Sequence, residues 1–140
     1  MRTFVDTNVL VYAYDRAEDV KQRRALQVLR EVAPTDLVIS SQVLSEFYVA
    51  TTRPSRPLLT TDRAREVVTS MSWTTVEVVD SDLVRRALGI HKNQSLSYWD
   101  SLIVAAATRA ECTRILTEDF SSASPLEGMR IENPFLAEDR

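Results

Sequence analysis

The residues of this chain best suited to chemistry are acidic. Asp6, Glu46, Asp100 and Asp119 lie far apart in sequence, yet each sits beside an element able to carry it to a shared place. The chain has one histidine, His91, one cysteine, Cys112, and no CxxC pair, so it lacks the ligand set of a zinc site. Two unit charges about 4 Å apart repel by roughly 4 kcal/mol at an effective dielectric near 20. Carboxylates brought together without a cation therefore protonate, or endure that repulsion several times over. A divalent cation removes it, and hard oxygen donors suit Mg²⁺ or Mn²⁺. Such an ion keeps several waters and lowers the pKa of one placed to attack phosphorus. The pattern therefore predicts hydrolysis by a metal-activated water.

Each acidic residue also has an ordinary reading. Asp6 directly follows an apolar start in Phe4-Val5-Asp6-Thr7-Asn8, where an aspartate also makes a good helix cap. Asp119 follows Leu116-Thr117, a place where aspartate serves in plain turns, and its neighbour Glu118 competes for any role. Asp100 is more telling. On a helix its neighbours are Ile103, Val104 and Ala107, so its carboxylate is at least partly buried, which calls for an ion pair, a metal or the helix dipole. Glu46 borders the apolar stripe of Val43, Leu44, Phe47 and Tyr48, and gains weight only from the other three.

These positions depend on the elements that hold them. Met1–Val5, Leu37–Ile39, Thr75–Val79, Arg114–Thr117 and Met129–Ile131 read as strands. Asn8–Tyr14, Asp19–Val32, Ser41–Thr52, Thr61–Ser72, Ser81–His91 and Ser97–Ala110 read as helices, the last with Ser97 as cap. The prolines of Arg53–Thr61 mark a loop between two helices. Alternating strands and helices predict an α/β fold, with a mostly parallel sheet covered on both faces. Its ligand site would lie beyond the strands' carboxyl ends, at a switch in strand order. Asp6 and Asp119 both fall at such ends.

Composition narrows the classes further. With 140 residues the chain is the size of one domain, and its net charge of −3 argues against simple coating of nucleic acid. Only Gly89 and Gly128 are glycines, so no glycine-rich phosphate loop exists. The longest apolar run, Leu102–Ala107, is far too short to span a bilayer, and the N-terminus lacks the layout of a secretory signal. A lone cysteine fits a reducing compartment. The expectation is a cytoplasmic protein with no membrane contact.

Four segments, FVDTNVL, SEF, SYWDSLIVAAA and LTEDF, occur in an order and spacing that resemble the PIN-domain superfamily over nearly the whole chain. The ending, with Gly128-Met129-Arg130-Ile131 and Asn133-Pro134-Phe135, is similar to a bacterial subgroup of it. The resemblance implies a single PIN domain over residues 1–140, a three-layer α/β/α sandwich around four to five strands. It also implies a Mg²⁺- or Mn²⁺-dependent endoribonuclease leaving a 5′-phosphate and a 3′-hydroxyl. Carried over by position, Asp6 and Asp100 resemble the primary metal ligands, and Asp119 the fourth acidic position, acting through water or on a second metal. Glu46 resembles the glutamate that orients the attacking water. Thr7 or Asn8 resembles the polar group steadying the first aspartate, with Ser97 in a similar supporting role.

Stand-alone chains of this size resemble VapC-type toxins, which implies a homodimer silenced by a cognate antitoxin whose arginine or lysine could enter the acidic site. An RNA substrate would need local cations, for which Arg53, Arg56, Arg23 and Arg24 are available, although solvated surface charge explains them too. Trp73, Tyr98 and Trp99 could stack bases, but core or dimer-interface positions are the plainer expectation, and His91 is expected to be exposed at a helix end. A HAD-type phosphatase would need an aspartate where Asn8 stands. A phospho-acceptor domain would need one where Ser40-Ser41 follows the second strand. A housekeeping RNA-processing nuclease or a silent binding module of the same fold remain the alternatives.

Overall fold

The computed structural model describes residues 1–120 and 125–136. Its elements run β1 (Thr3–Val5), α1 (Thr7–Tyr12), α2 (Asp19–Glu31), β2 (Leu37–Ser40), α3 (Ser41–Thr51) and α4 (Thr61–Met71). They continue with β3 (Thr75–Glu77), α5 (Ser81–Asn93), α6 (Tyr98–Arg109), β4 (Arg114–Leu116) and β5 (Arg130–Glu132). Each expected strand and helix is present, with ends shifted by a few residues. A short 3₁₀ turn at Pro34–Asp36 was not expected.

The five strands form one parallel sheet in the order β3-β2-β1-β4-β5. Burial explains the sequence of its centre. Phe4 and Val5 of β1 and Ile115 and Leu116 of β4 are covered on both faces, hence apolar throughout rather than alternating. The chain leaves β1 toward β2 and β3, then returns past β1 to β4. Right-handed crossovers put α1–α4 on one face and α5–α6 on the other. The packing agrees: α1 meets α2 and α3, α3 meets α4, and α5 meets α6. This is the expected α/β/α sandwich.

Helix α6 is the most deeply set. Every residue from Ser101 to Ala107 is buried, and its three alanines at 105, 106 and 107, with Ala110 at the C-cap, let it lie close to its neighbours. Because α6 leads into the parallel strand β4, its N-terminal turn lies at the strands' carboxyl edge. Strand order reverses between β1 and β4, so three chain segments (the end of β1, the end of β4 and the start of α6) meet at one switch point. No helix among the described residues is long and apolar enough to cross a membrane.

Candidate active site

Asp6 stands at the centre of this meeting. Its backbone N–H continues the sheet to the Leu116 carbonyl at 3.0 Å, and its side chain caps α1 by accepting from the Thr7 N–H at 2.7 Å. The other carboxylate oxygen accepts from the Thr117 hydroxyl at 2.7 Å. Only 3 % of the residue is exposed. Burial pushes its pKa from 3.8 up to about 7, against the lowering hydrogen bonds from Thr117 and Thr7, with a smaller upward push from Asp119 and Glu46.

Asp100 is held differently. Ser97 caps α6, its hydroxyl accepting the Asp100 N–H at 3.1 Å, as expected. The Asp100 carboxylate is half-buried, and burial raises its pKa, opposed by Ser97 and reinforced by Asp119 and Glu46. Glu46 reaches the site from α3. It accepts from the Thr7 hydroxyl at 2.7 Å and from the Gln42 amide, one helical turn before it, at 3.1 Å. Asp119 is exposed at the rim, its backbone N–H donating to the Thr117 hydroxyl oxygen at 3.0 Å.

The supporting residues thus divide the work. Thr7 fixes Glu46 through its hydroxyl and Asp6 through its N–H. Asn8 ties α1 to the loop after β4, its amide oxygen accepting the Glu118 N–H at 3.1 Å and its amide nitrogen reaching the Thr117 hydroxyl at 3.5 Å. Thr117 and Gln42 had escaped the sequence reading. Thr117 is fully buried and links Asp6, Asn8 and Asp119 at once. Its only signal was a hydroxyl at the last inward position of a strand, directly before the acidic pair. Gln42 could have been found from its spacing of four to Glu46.

A groove of about 710 Å³ opens beside these residues, lined among others by Thr7, Asn8, Glu46, Arg53 and Asp119. Of the four arginines considered from sequence, Arg53 is exposed on that wall, and Arg56, also on the lining, pairs with the buried Asp15 at 2.7 Å. Arg24 is spent on the Pro134 carbonyl and Arg23 on Asp19. Trp73 and Trp99 are 86 % and 62 % exposed, so neither belongs to the core of the chain. His91 is exposed in the last turn of α5, its Nδ1 2.7 Å from the Leu96 carbonyl oxygen.

Among the described residues, no three His, Cys, Asp or Glu side chains converge closely enough to share one ion as they stand. The donor set nevertheless fits a hard divalent cation: Asp6, Asp100, Asp119 and Glu46 are all carboxylates, and the two with raised pKa values each sense Asp119 and Glu46. Asp6 and Asp100, with Asp119 at the rim, are the side chains that could hold it.

A doubly covered parallel sheet with an acidic switch point is the frame of many enzymes acting on phosphoesters or nucleotides, and here the family can be named. The model of the PIN domain matches residues 3–121, and the chain belongs to that family. No curated protein sequence matches it. Among solved structures it is similar to a toxin–antitoxin complex from Klebsiella pneumoniae, at 19 % identity and a TM-score of 0.69, over 95 % of this chain and 98 % of that one. It is also similar to VapC20 of Mycobacterium tuberculosis, described as a sarcin–ricin loop cleaving toxin, at 21 % identity and a TM-score of 0.62, over 81 % and 86 %. A third is VapBC2 from Rickettsia felis bound to a DNA fragment from its promoter, at 16 % identity and a TM-score of 0.65, over 95 % and 98 %. At these identities the likeness establishes the fold.

Proposed function

We propose that this protein is a Mg²⁺- or Mn²⁺-dependent endoribonuclease formed by a single PIN domain, and the toxin of a toxin–antitoxin pair. One observation carries the reading: four carboxylates from four separate segments lie around the β1/β4 switch point, and burial disfavours the charge of two of them, Asp6 and Asp100. A fold gains no stability from such a gathering, so a cationic ligand accounts for it best.

In this reading Asp6 and Asp100 hold the divalent ion, and Asp119 contributes from the rim. When bound, the ion supplies charge neutralisation and a water acidic enough to attack phosphorus near neutral pH. Glu46, its two oxygens fixed by Thr7 and Gln42, orients that water. Thr117 and Thr7 keep Asp6 in place against its own desolvation cost. Ser97 fixes the start of α6, and so the position of Asp100. Arg53, on the same groove, meets a phosphate of the RNA strand.

The toxin assignment draws on the solved relatives, one of which is described as a toxin–antitoxin complex and another as a sarcin–ricin loop cleaving toxin. An antitoxin would silence the acidic site with an arginine or lysine. A homodimer would give the exposed Trp73 or Trp99 a partner surface.

The test is incubation of purified protein, stripped of any partner, with total RNA and Mn²⁺ or Mg²⁺, beside Asp100→Asn and EDTA controls. Discrete fragments only with wild-type protein and metal are expected, with 5′-phosphate ends. Equal cleavage by Asp100→Asn, or cleavage indifferent to EDTA, would overturn the reading.

A further inference from the structure

Glu118 and Asp119 are adjacent acids, yet only Asp119 lines the groove with Thr7, Asn8 and Glu46. Glu118 is occupied on the other side of the loop. One of its oxygens meets Lys21 Nζ of α2 at 2.5 Å, and the other accepts from the Tyr12 hydroxyl at 2.9 Å. Lys21 also donates to the Tyr12 oxygen at 3.1 Å, closing a three-membered cluster.

The Asn133-Pro134-Phe135 ending, noted in the sequence and not used by the catalytic reading, completes this cluster. Phe135 packs edge-on against Tyr12, with ring centres 4.9 Å apart, and Lys21 Nζ lies 5.8 Å from the Phe135 ring centre. The segment is itself anchored: the Asn133 side chain accepts the Phe135 N–H at 2.9 Å, and Arg24 donates to the Pro134 carbonyl at 2.7 Å. Meanwhile the loop backbone is pinned from below, with the Glu118 N–H on Asn8 and the Asp119 N–H on Thr117. With backbone and Glu118 both fixed, the side chain of the next residue is left to the groove side.

We propose that Lys21 is a positioning residue: with Tyr12, and under the cover of Phe135, it draws Glu118 away so that Asp119 is the acid presented to the metal site. The C-terminal segment thereby becomes part of the active-site scaffold. This inference rests on the metal-dependent reading above. It also explains how a chain with two neighbouring acids commits to one of them.

The test is titration of Mn²⁺ alone into the purified chain, followed by electron paramagnetic resonance of the free ion, for wild type, D100N, D119N, K21R, K21M/E118Q and K21M/E118Q/D119N. The K21M/E118Q pair leaves net charge unchanged, so it reports position rather than field. Its Mn²⁺ affinity should fall about tenfold, the lower range for loss of a group that orients a ligand. The triple variant should bind no more weakly than D119N, and K21R should stay near wild type. Wild-type affinity in K21M/E118Q, or a further tenfold loss in the triple variant, would overturn the proposal while a weakened D100N left the metal reading standing. A wild-type chain that bound no Mn²⁺ would overturn both. If K21M/E118Q did not fold, Phe135→Leu, which changes no charge, would have to lower the affinity severalfold for the proposal to survive.

Discussion

Asp6 and Asp100 both stand at the start of a helix, and they are held in opposite ways. Asp6 caps α1 with its own carboxylate, is buried, and has both oxygens engaged. Asp100 lies three residues inside α6, where Ser97 does the capping and the carboxylate stays half-exposed. One carboxylate is therefore bound into the fold as well as the site, whereas the other is tied only to Ser97 at the start of its own helix. The buried residue lends precision, because its rotamer is fixed by two donors. The freer one lends tolerance, because it can adjust to a ligand at little cost.

The largest effect that sharpens this contrast is on activity. Asp100→Asn should lower single-turnover RNA cleavage by at least about a hundredfold, the loss of roughly 3 kcal/mol of charge stabilisation. Its melting temperature without metal should barely move. Asp6→Ala should lose as much activity and also melt several degrees lower, because it removes a helix cap worth about 1–2 kcal/mol and orphans the buried Thr117 hydroxyl. Equal melting of the two variants would break the comparison.

Next in size is Thr117→Val, which keeps the shape and removes the hydroxyl. It should weaken Mn²⁺ binding about tenfold and cost roughly 1–3 kcal/mol of stability, while Thr117→Ser restores both. Calorimetric titration and thermal melts would measure the pair.

A smaller effect follows from the raised pKa of Asp6. The native state retains a proton up to about pH 7 that the unfolded chain releases near 3.8. The native state therefore binds more protons across that window, so metal-free stability should fall as pH rises from about 4 to about 7 and then level off. Asp100 contributes with the same sign. Melting curves over this range should flatten in Asp6→Asn, and saturating Mn²⁺ at pH 8 should restore the lost stability. A metal-free melting temperature that rose through the window would contradict the burial of Asp6. Smallest of all, Arg53→Ala should weaken RNA binding severalfold and reduce the salt slope by about 0.7, one phosphate contact on a single strand.

Much of the site was legible because local pattern and tertiary place coincide there. An apolar, β-branched start followed at once by Asp6 could only put that acid at a strand's carboxyl end. Ile103, Val104 and Ala107 fixed Asp100 against the core, and Ser97 announced its helix. Other features depended on contacts remote in sequence. Nothing beside Glu118 reveals that Lys21 engages it across 97 positions. Thr117 carries no periodic signal, since a single buried hydroxyl at a strand end resembles any other β-branched residue. For Trp73 and Trp99 the sequence left two places open, core or dimer interface, and the fold removes only the first: Trp73 lies in the turn after α4. On α6, Ser101 to Ala107 already fill the interior and leave Trp99 outside. Arg24 and Arg56 read as free cations until the structure showed them engaged by Pro134 and Asp15.

The central claim is that these carboxylates form one cation site between the ends of β1 and β4. Anomalous diffraction from crystals of the partner-free chain soaked in Mn²⁺ tests it most directly. The account predicts a strong peak roughly 2 Å from carboxylate oxygens of both Asp6 and Asp100, lost in Asp100→Asn. Crystals saturated with Mn²⁺ that show no peak there, or a peak elsewhere with Asp6 and Asp100 unligated, would contradict it.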